Sequence, residues 1–339
     1  MSSAQRPRGT PAAGGYPPAR TPAEPRSPSV RGGEMPGPIV HVGYHKTGTS
    51  WLQRHLFRTE NRGFARLLLS SRHSDFIWVD DFEFDPARYR AEFGPDIAKA
   101  REAGRVPVVS SERLSGNPHS GGYDSRRLAD RLRAVFPDAR ILIVIREQRG
   151  MILSSYGQYV RAGGVCSLRD YLRGPGDFRL PWFRLSYFRY DRLIRHYQSL
   201  FGREQVLVEA YERFREDPEA YVRRICDFCG VVLKEELPYR QVKNPGLGPL
   251  ALGLQRRLNP FVVRDSLNGN SALAMPLLRG PSRALLRGLD RLSPRALNER
   301  LRAGWERCVA EAAEGYYEES NRRTEEATGL ELARLGYAV

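Results

Sequence analysis

The chain has 339 residues, 41% of them apolar, enough to bury a sizeable core, and carries a formal net charge of +15. Nearly all its cations are arginine, with only Lys46, Lys99, Lys234 and Lys243 as lysines; such an excess either follows genome composition or attracts polyanions, nucleic acid or a phosphorylated cofactor. No apolar run approaches the roughly 18–20 residues of a membrane span, the first residues lack the apolar segment of a secretory signal, and the four cysteines are too scattered for a disulfide framework, so a soluble cytoplasmic protein is expected.

Residues 1–37 are rich in Pro, Gly, Ser and Arg and are expected to form a disordered tail. Their five arginines stand against Glu24 and Glu34, which leaves about +12 on the body. A single folded domain is expected over 38–339. Ile39–Val42 reads as a strand, Gly43 starts a polar loop, and the apolar positions Trp51, Leu52, His55 and Leu56 predict a helix. Residues 62–100 are mixed, with aromatics at Phe76, Trp78, Phe82 and Phe84 that fit core packing better than the alternative, an acceptor wall.

A strand is expected over Val106–Ser111, then a helix capped by Asp124 that runs through Val135. Arg140–Ile145 is a continuous apolar run, as expected of a strand buried on both faces, and it ends at Arg146. The order continues with a helix bearing Met151, Ile152, Tyr156 and Tyr159, a helix over 186–200, a strand over Gln205–Glu209, and a helix from about Pro218 to Gly230. Cys226 and Cys229 lie within that last helical pattern, where core packing outweighs metal or redox work. From about 247 only helices and loops are expected, ending in Glu325–Leu335 and a Gly336-Tyr337 tail. Strands alternating with helices predict an α/β fold. Its mostly parallel central sheet would carry helices on both faces, P-loop NTPase-like, with a helical C-terminal extension.

The chemistry centres on Gly43-Tyr44-His45-Lys46-Thr47-Gly48-Thr49-Ser50-Trp51. A strand feeding a glycine loop and then a helix makes a phosphate cradle, because loop and helix N–H groups converge on an anion. The two glycines have P-loop spacing, but Lys46 stands inside the loop, two residues before the second glycine. A triphosphatase or kinase also needs a magnesium-binding acid at a strand end. The best buried strand ends instead in Arg146, which suits a second phosphate, and Ser154 follows eight residues later. Glu209 keeps the magnesium alternative open. The pattern therefore calls for a ligand with two separate phosphate-like groups and a transferred group that needs no metal.

These features resemble the sulfotransferases that use 3′-phosphoadenosine 5′-phosphosulfate (PAPS). Their lysine loop is matched by Lys46-Thr47-Gly48-Thr49-Ser50, and their strand-end arginine with a serine eight residues on by Arg146 and Ser154. The likeness continues through Val206–Phe214, Asp217-Pro218-Glu219 and Tyr317–Asn321, and spans roughly residues 38–339. The resemblance implies in-line transfer of a sulfuryl group from PAPS to a hydroxyl or amine, leaving adenosine 3′,5′-bisphosphate. It places Lys46 at the bridging oxygen and the sulfate, Thr47, Gly48, Thr49 and Ser50 at the 5′-phosphate, and Arg146 with Ser154 at the 3′-phosphate. Trp51 would stack on adenine or serve as a core residue, Tyr211 would lie near the adenine, and Arg240, Lys243 and Asn244 are candidates for a late loop over the 3′-phosphate. That last segment departs from the family's Arg-Lys-Gly form.

The acceptor must lose a proton. Where many relatives have a histidine after the third strand, this chain has Ser110-Ser111-Glu112, so Glu112 is the first candidate base, with His45 and His119 as alternatives. Glu112 fits equally as an ion-pair partner of Arg113, and His41 fits a core position. A small molecule or carbohydrate is the expected acceptor. An arginine-rich nucleic-acid-binding protein is the alternative from another class, but acids interrupt the basic runs, as over Glu209–Glu219, and no nucleic-acid motif appears.

Overall fold

The computed structural model describes residues 37–58, 63–67, 75–174, 181–233, 236–239, 246–262 and 279–339. The N-terminal tail expected over 1–37 lies almost wholly outside them, as do Arg240, Lys243 and Asn244. Five strands form one sheet: β1 (Ile39–Gly43), β2 (Phe64–Leu67), β3 (Val106–Ser110), β4 (Arg140–Ile145) and β5 (Val206–Ala210). Their spatial order is β2-β3-β1-β4-β5, and every pairing is parallel.

Helices fill the connections: α1 (Thr49–Trp51), α2 (Asp75–Trp78), α3 (Pro86–Glu102), α4 (Ser125–Val135), α5 (Gln148–Ala162), α6 (Leu168–Arg173), α7 (Tyr190–Phe201), α8 (Tyr211–Glu216) and α9 (Pro218–Cys229). Four more follow: α10 (Pro249–Val262), α11 (Arg279–Leu292), α12 (Arg295–Ala312) and α13 (Glu318–Thr328).

Alternation along the strands explains why both faces are covered. Val40, Val42, Ile141, Ile143 and Ile145 enter one apolar cluster, with α4, α5 and α7 against it. Ile39, Leu142 and Val144 enter the other, where Leu52, Leu56 and the apolar face of α9 pack. With no polar face to show, the central strands read as unbroken apolar runs. His41 points into this core, is fully buried, and bonds through Nδ1 to Ser110 Oγ at 2.8 Å. Cys226 and Cys229 are buried on α9, and burial pushes both thiols up to about 12.

Several elements differ from their expected bounds. The helix after the glycine loop is one α-turn followed by a π-turn over Leu52–Leu56, closed by Phe57 N–H donating to the Leu52 carbonyl at 2.8 Å. Asp124 stands at the start of α4 but does not cap it; its carboxylate takes Arg113 at 2.6 Å instead. The 186–200 helix begins at Tyr190, after a 3₁₀ turn over Leu185–Phe188. The last helix starts at Glu318 and ends at Thr328, earlier than the expected Glu325–Leu335. No helix among the described residues is long and apolar enough to cross a membrane.

Candidate active site

The topology creates the site. The chain leaves β1 toward β2 and β3 on one side of the sheet, and leaves β4 toward β5 on the other. Between two such neighbours the connections diverge and open a crevice at the carboxyl ends of the strands. Gly43 pairs with Val144, so the loop after β1 and the residue after Ile145 emerge side by side.

Local stereochemistry then shapes the loop. Gly43 must be glycine because a Cβ there would stand 2.5 Å from Thr49 Oγ1 and 2.9 Å from His41 Nε2. Gly48 has φ +82° and lies under the Tyr211 ring, 3.3 Å from where its Cβ would be. Lys46 itself has φ +67°, the one non-glycine in the left-handed region among the described residues. That conformation costs a residue with a side chain about 1–2 kcal/mol and turns successive N–H groups toward a common point. Thr47 Oγ1 ties the loop down by donating to the Tyr44 carbonyl at 2.6 Å.

The glycine loop and the end of β4 meet directly. Arg146 donates from Nη1 to the Lys46 carbonyl at 3.2 Å, and its guanidinium sits 5.3 Å from the Tyr211 ring centre. Tyr190 donates its hydroxyl to the Arg146 carbonyl at 2.6 Å, which fixes the backbone there. Glu212 accepts from Glu147 N–H at 3.1 Å and from the Tyr337 hydroxyl at 3.0 Å, and burial raises its pKa above the usual carboxylate range.

Lys46, Gly48, Thr49, Ser50, Arg146, Ser154 and Tyr211 all line one cleft of about 720 Å³, together with His45 and Glu112. Thr47 is buried beneath the loop. Trp51 is not among the lining residues; it stacks on Tyr239 at 5.8 Å and packs against Phe214, at the second core cluster. His119 lies behind the cleft and bonds through Nδ1 to the Tyr171 hydroxyl at 3.0 Å.

The sequence reading missed Arg161. It lines the same cleft, one helical face along from Ser154 on α5, and makes no ion pair among the described residues. Its seven-residue spacing from Ser154 was the available signal. Burial lowers the pKa of Lys46 most, and the charges of Arg161 and Arg146 lower it further while Glu112 opposes them. Several cations held this close need an anion among them. The C-terminal helices complete the cleft wall with Leu252, Arg302, Trp305 and Glu306.

Glu112 faces the cleft. Arg113, the neighbour that might have claimed it, is engaged with buried Asp124, and Glu112 has no ion pair among the described residues. Glu209, the possible magnesium ligand, is spent: it is buried, and its oxygens take the partly exposed Arg224 at 2.7 and 3.4 Å.

The two histidines are neutral at pH 7. Burial, and then His119, bring the His45 pKa down to about 4; burial and Lys46 do the same for His119. A histidine whose native pKa lies below its unfolded value binds fewer protons folded than unfolded between the two values. Its contribution is therefore intact above about pH 6.5 and is lost as pH falls toward 4. His119→Gln removes one such group, so thermal unfolding followed from pH 7 to 4.5 is expected to fall less steeply than in the wild type. Equal slopes would show that His119 is not held neutral by burial.

Residues 125–235 match a family model described as the sulfotransferase family. The match covers about a third of the chain, so it marks a likeness over that segment. The matched segment runs from α4 past α9 and includes Arg146, Ser154 and Tyr211, but begins after the Lys46 loop and Glu112. Among solved structures, the chain is similar to a sulfotransferase from Alicyclobacillus acidocaldarius, with 23% identity over 72% of this chain and 98% of that one, TM-score 0.45. It is also similar to the sulfotransferase domain from the curacin biosynthetic pathway, with 15% identity over 71% of this chain and 84% of the other, TM-score 0.36. A third is the sulfotransferase domain of the Synechococcus PCC 7002 olefin synthase, with 15% identity over 72% and 94%, TM-score 0.34. No curated protein matches the chain.

Proposed function

We propose that this protein is a sulfotransferase that takes its sulfuryl group from PAPS and passes it to a hydroxyl or amine of a small-molecule or carbohydrate acceptor. The observation that carries the reading is the convergence of Lys46, Arg146 and Ser154 on one cleft, with Arg146 bonded to the Lys46 loop itself. The donor's requirements fit the lining: unpaired cations for two phosphate-like groups, and Thr49 Oγ1, which is buried without a partner among the described residues. Tyr211, beneath Arg146, offers an aromatic face for adenine; Trp51 offers one only from the second cluster. A single folded domain over 38–339 would hold all of this, with the protein in the cytoplasm.

When bound, PAPS supplies an already activated sulfuryl group. Lys46 would hold the leaving oxygen, where negative charge builds, and Thr47, Gly48, Thr49 and Ser50 the 5′-phosphate. Arg146 and Ser154 would hold the 3′-phosphate, joined by Arg240, Lys243 and Asn244. Glu112 would take the acceptor's proton, with His45 and His119 as the other groups in reach. Positioning and fixed charge would supply most of the rate, with no metal taking part.

Calorimetry with adenosine 3′,5′-bisphosphate tests the donor site. Wild type should bind it, and Arg146→Ala should bind more weakly by about 1.5–3 kcal/mol for each charged hydrogen bond lost. Unchanged affinity would remove the 3′-phosphate from Arg146. Incubation with labelled PAPS and an acceptor panel then shows where the sulfate goes.

A further inference from the structure

A second chamber lies beyond the cleft, within the C-terminal helices. Its volume is about 370 Å³; Tyr156, Leu168, Leu250, Leu254, Leu289 and Leu301 form its apolar wall, and Ser167, Arg256 and Arg257 also line it. Tyr156 spends its hydroxyl on the Cys166 carbonyl at 3.1 Å, so it presents its ring. The space is open on one side, as the cleft is, and a mostly apolar recess of this size is of ligand-binding dimensions. It is a little over twice the ~150 Å³ cavity that accepts benzene, so an apolar body of roughly ten carbons fits.

Its position gives it a role. Pro249 and Trp305 line both this chamber and the cleft that holds Lys46 and Glu112, so the two spaces are neighbours across α10 and α12. We propose that the chamber seats the apolar body of the acceptor, an alcohol whose hydroxyl projects past Trp305 into the cleft. There the hydroxyl oxygen forms a bond to sulfur, the bond from sulfur to the donor's phosphate oxygen breaks, and the hydroxyl proton passes to the base. The acceptor class is then an apolar alcohol and not a sugar. This inference rests on the donor-site reading above.

Gly253 is the place to test it. It lines the chamber within α10, and a Cβ there meets nothing within 4 Å, so a larger side chain enters open space. With labelled PAPS and linear 1-alkanols from butanol to decanol, kcat/KM is expected to rise about 4-fold per methylene, which corresponds to ~0.8 kcal/mol each. Gly253→Phe should flatten that rise and lower the decanol value at least 10-fold, while Gly253→Ala keeps it. Both variants should bind adenosine 3′,5′-bisphosphate as the wild type does. A flat chain-length profile, or a slope that Gly253→Phe leaves unchanged, overturns the proposal.

Loss of the donor site itself would show separately, as failure of the wild type to bind the bisphosphate. The chamber would in that case be judged by uptake of the neutral fluorescent probe N-phenyl-1-naphthylamine. Uptake by wild type but not by Gly253→Phe supports an apolar site, and equal uptake by both rejects it.

Discussion

Lys46→Met is expected to lower turnover by about 10²–10³-fold with little change in fold, the loss seen when one fixed donor to a developing anion is removed. The substitution keeps the length and apolar stem of the side chain and deletes only the charge. Lys46 is held with φ +67°, a conformation that the loop imposes at an energetic cost. Replacement by glycine separates the two contributions: Lys46→Gly relieves the backbone and removes the ammonium. It should unfold at a temperature no lower than the wild type and yet transfer sulfate as poorly as Lys46→Met.

The split between binding and turnover is the informative part. An interaction that strengthens as charge builds on the departing phosphate changes kcat more than it changes affinity for the ground state. The bisphosphate product should therefore bind Lys46→Met with a much smaller loss than the loss in turnover, because Arg146, Ser154 and the loop remain. Single-turnover transfer from labelled PAPS beside calorimetric binding makes the comparison. Equal losses in both would reduce Lys46 to a phosphate anchor.

The parts of this arrangement that could be read from the sequence are those in which local pattern and tertiary role agree. The strand Arg140–Ile145 is an unbroken apolar run because both of its faces are buried, and its end marks Arg146. The strand Phe64–Leu67 was not legible: it is short, lies at the sheet edge, and carries Arg66. The helix Pro86–Glu102 hid behind Gly94 and Pro95, which interrupt its pattern from within. The last helix was misplaced because its buried face is polar. Ser320, Asn321 and Thr324 face inward, and Asn321 exchanges hydrogen bonds with Gln148 and donates to the Ala338 carbonyl at 2.6 Å. Hydropathy cannot see burial that hydrogen bonds make possible.

The site divides in the same way. Lys46, Arg146 and Ser154 carry sequence spacing that reflects a backbone constraint, so spacing alone suggested that they act together. Arg161 is one arginine among many, and only the packing of α5 along the cleft sets it apart. Trp51 was left open by its place in the motif, between adenine stacking and core packing; its contacts with Phe214 and Tyr239 put it in an aromatic group at the second core cluster.

Glu112→Gln should cost about 10²–10⁴-fold in turnover, the range for a positioned general base, while leaving affinity for the bisphosphate unchanged. The geometry favours this carboxylate. It lines the cleft with Lys46, and Arg113 is turned away from it by the 2.6 Å bond to Asp124. Of its competitors, His119 is not among the residues that line the cleft, and burial leaves both His45 and His119 neutral at pH 7. His45→Gln and His119→Gln should accordingly lose far less activity than Glu112→Gln under the same conditions. The amide keeps the shape and hydrogen-bonding reach of the glutamate but cannot accept the proton, so a large loss assigns proton transfer and not packing. If Glu112→Gln turns over normally and His119→Gln does not, the base is the histidine, and the role of Glu112 is confined to its charge beside Lys46.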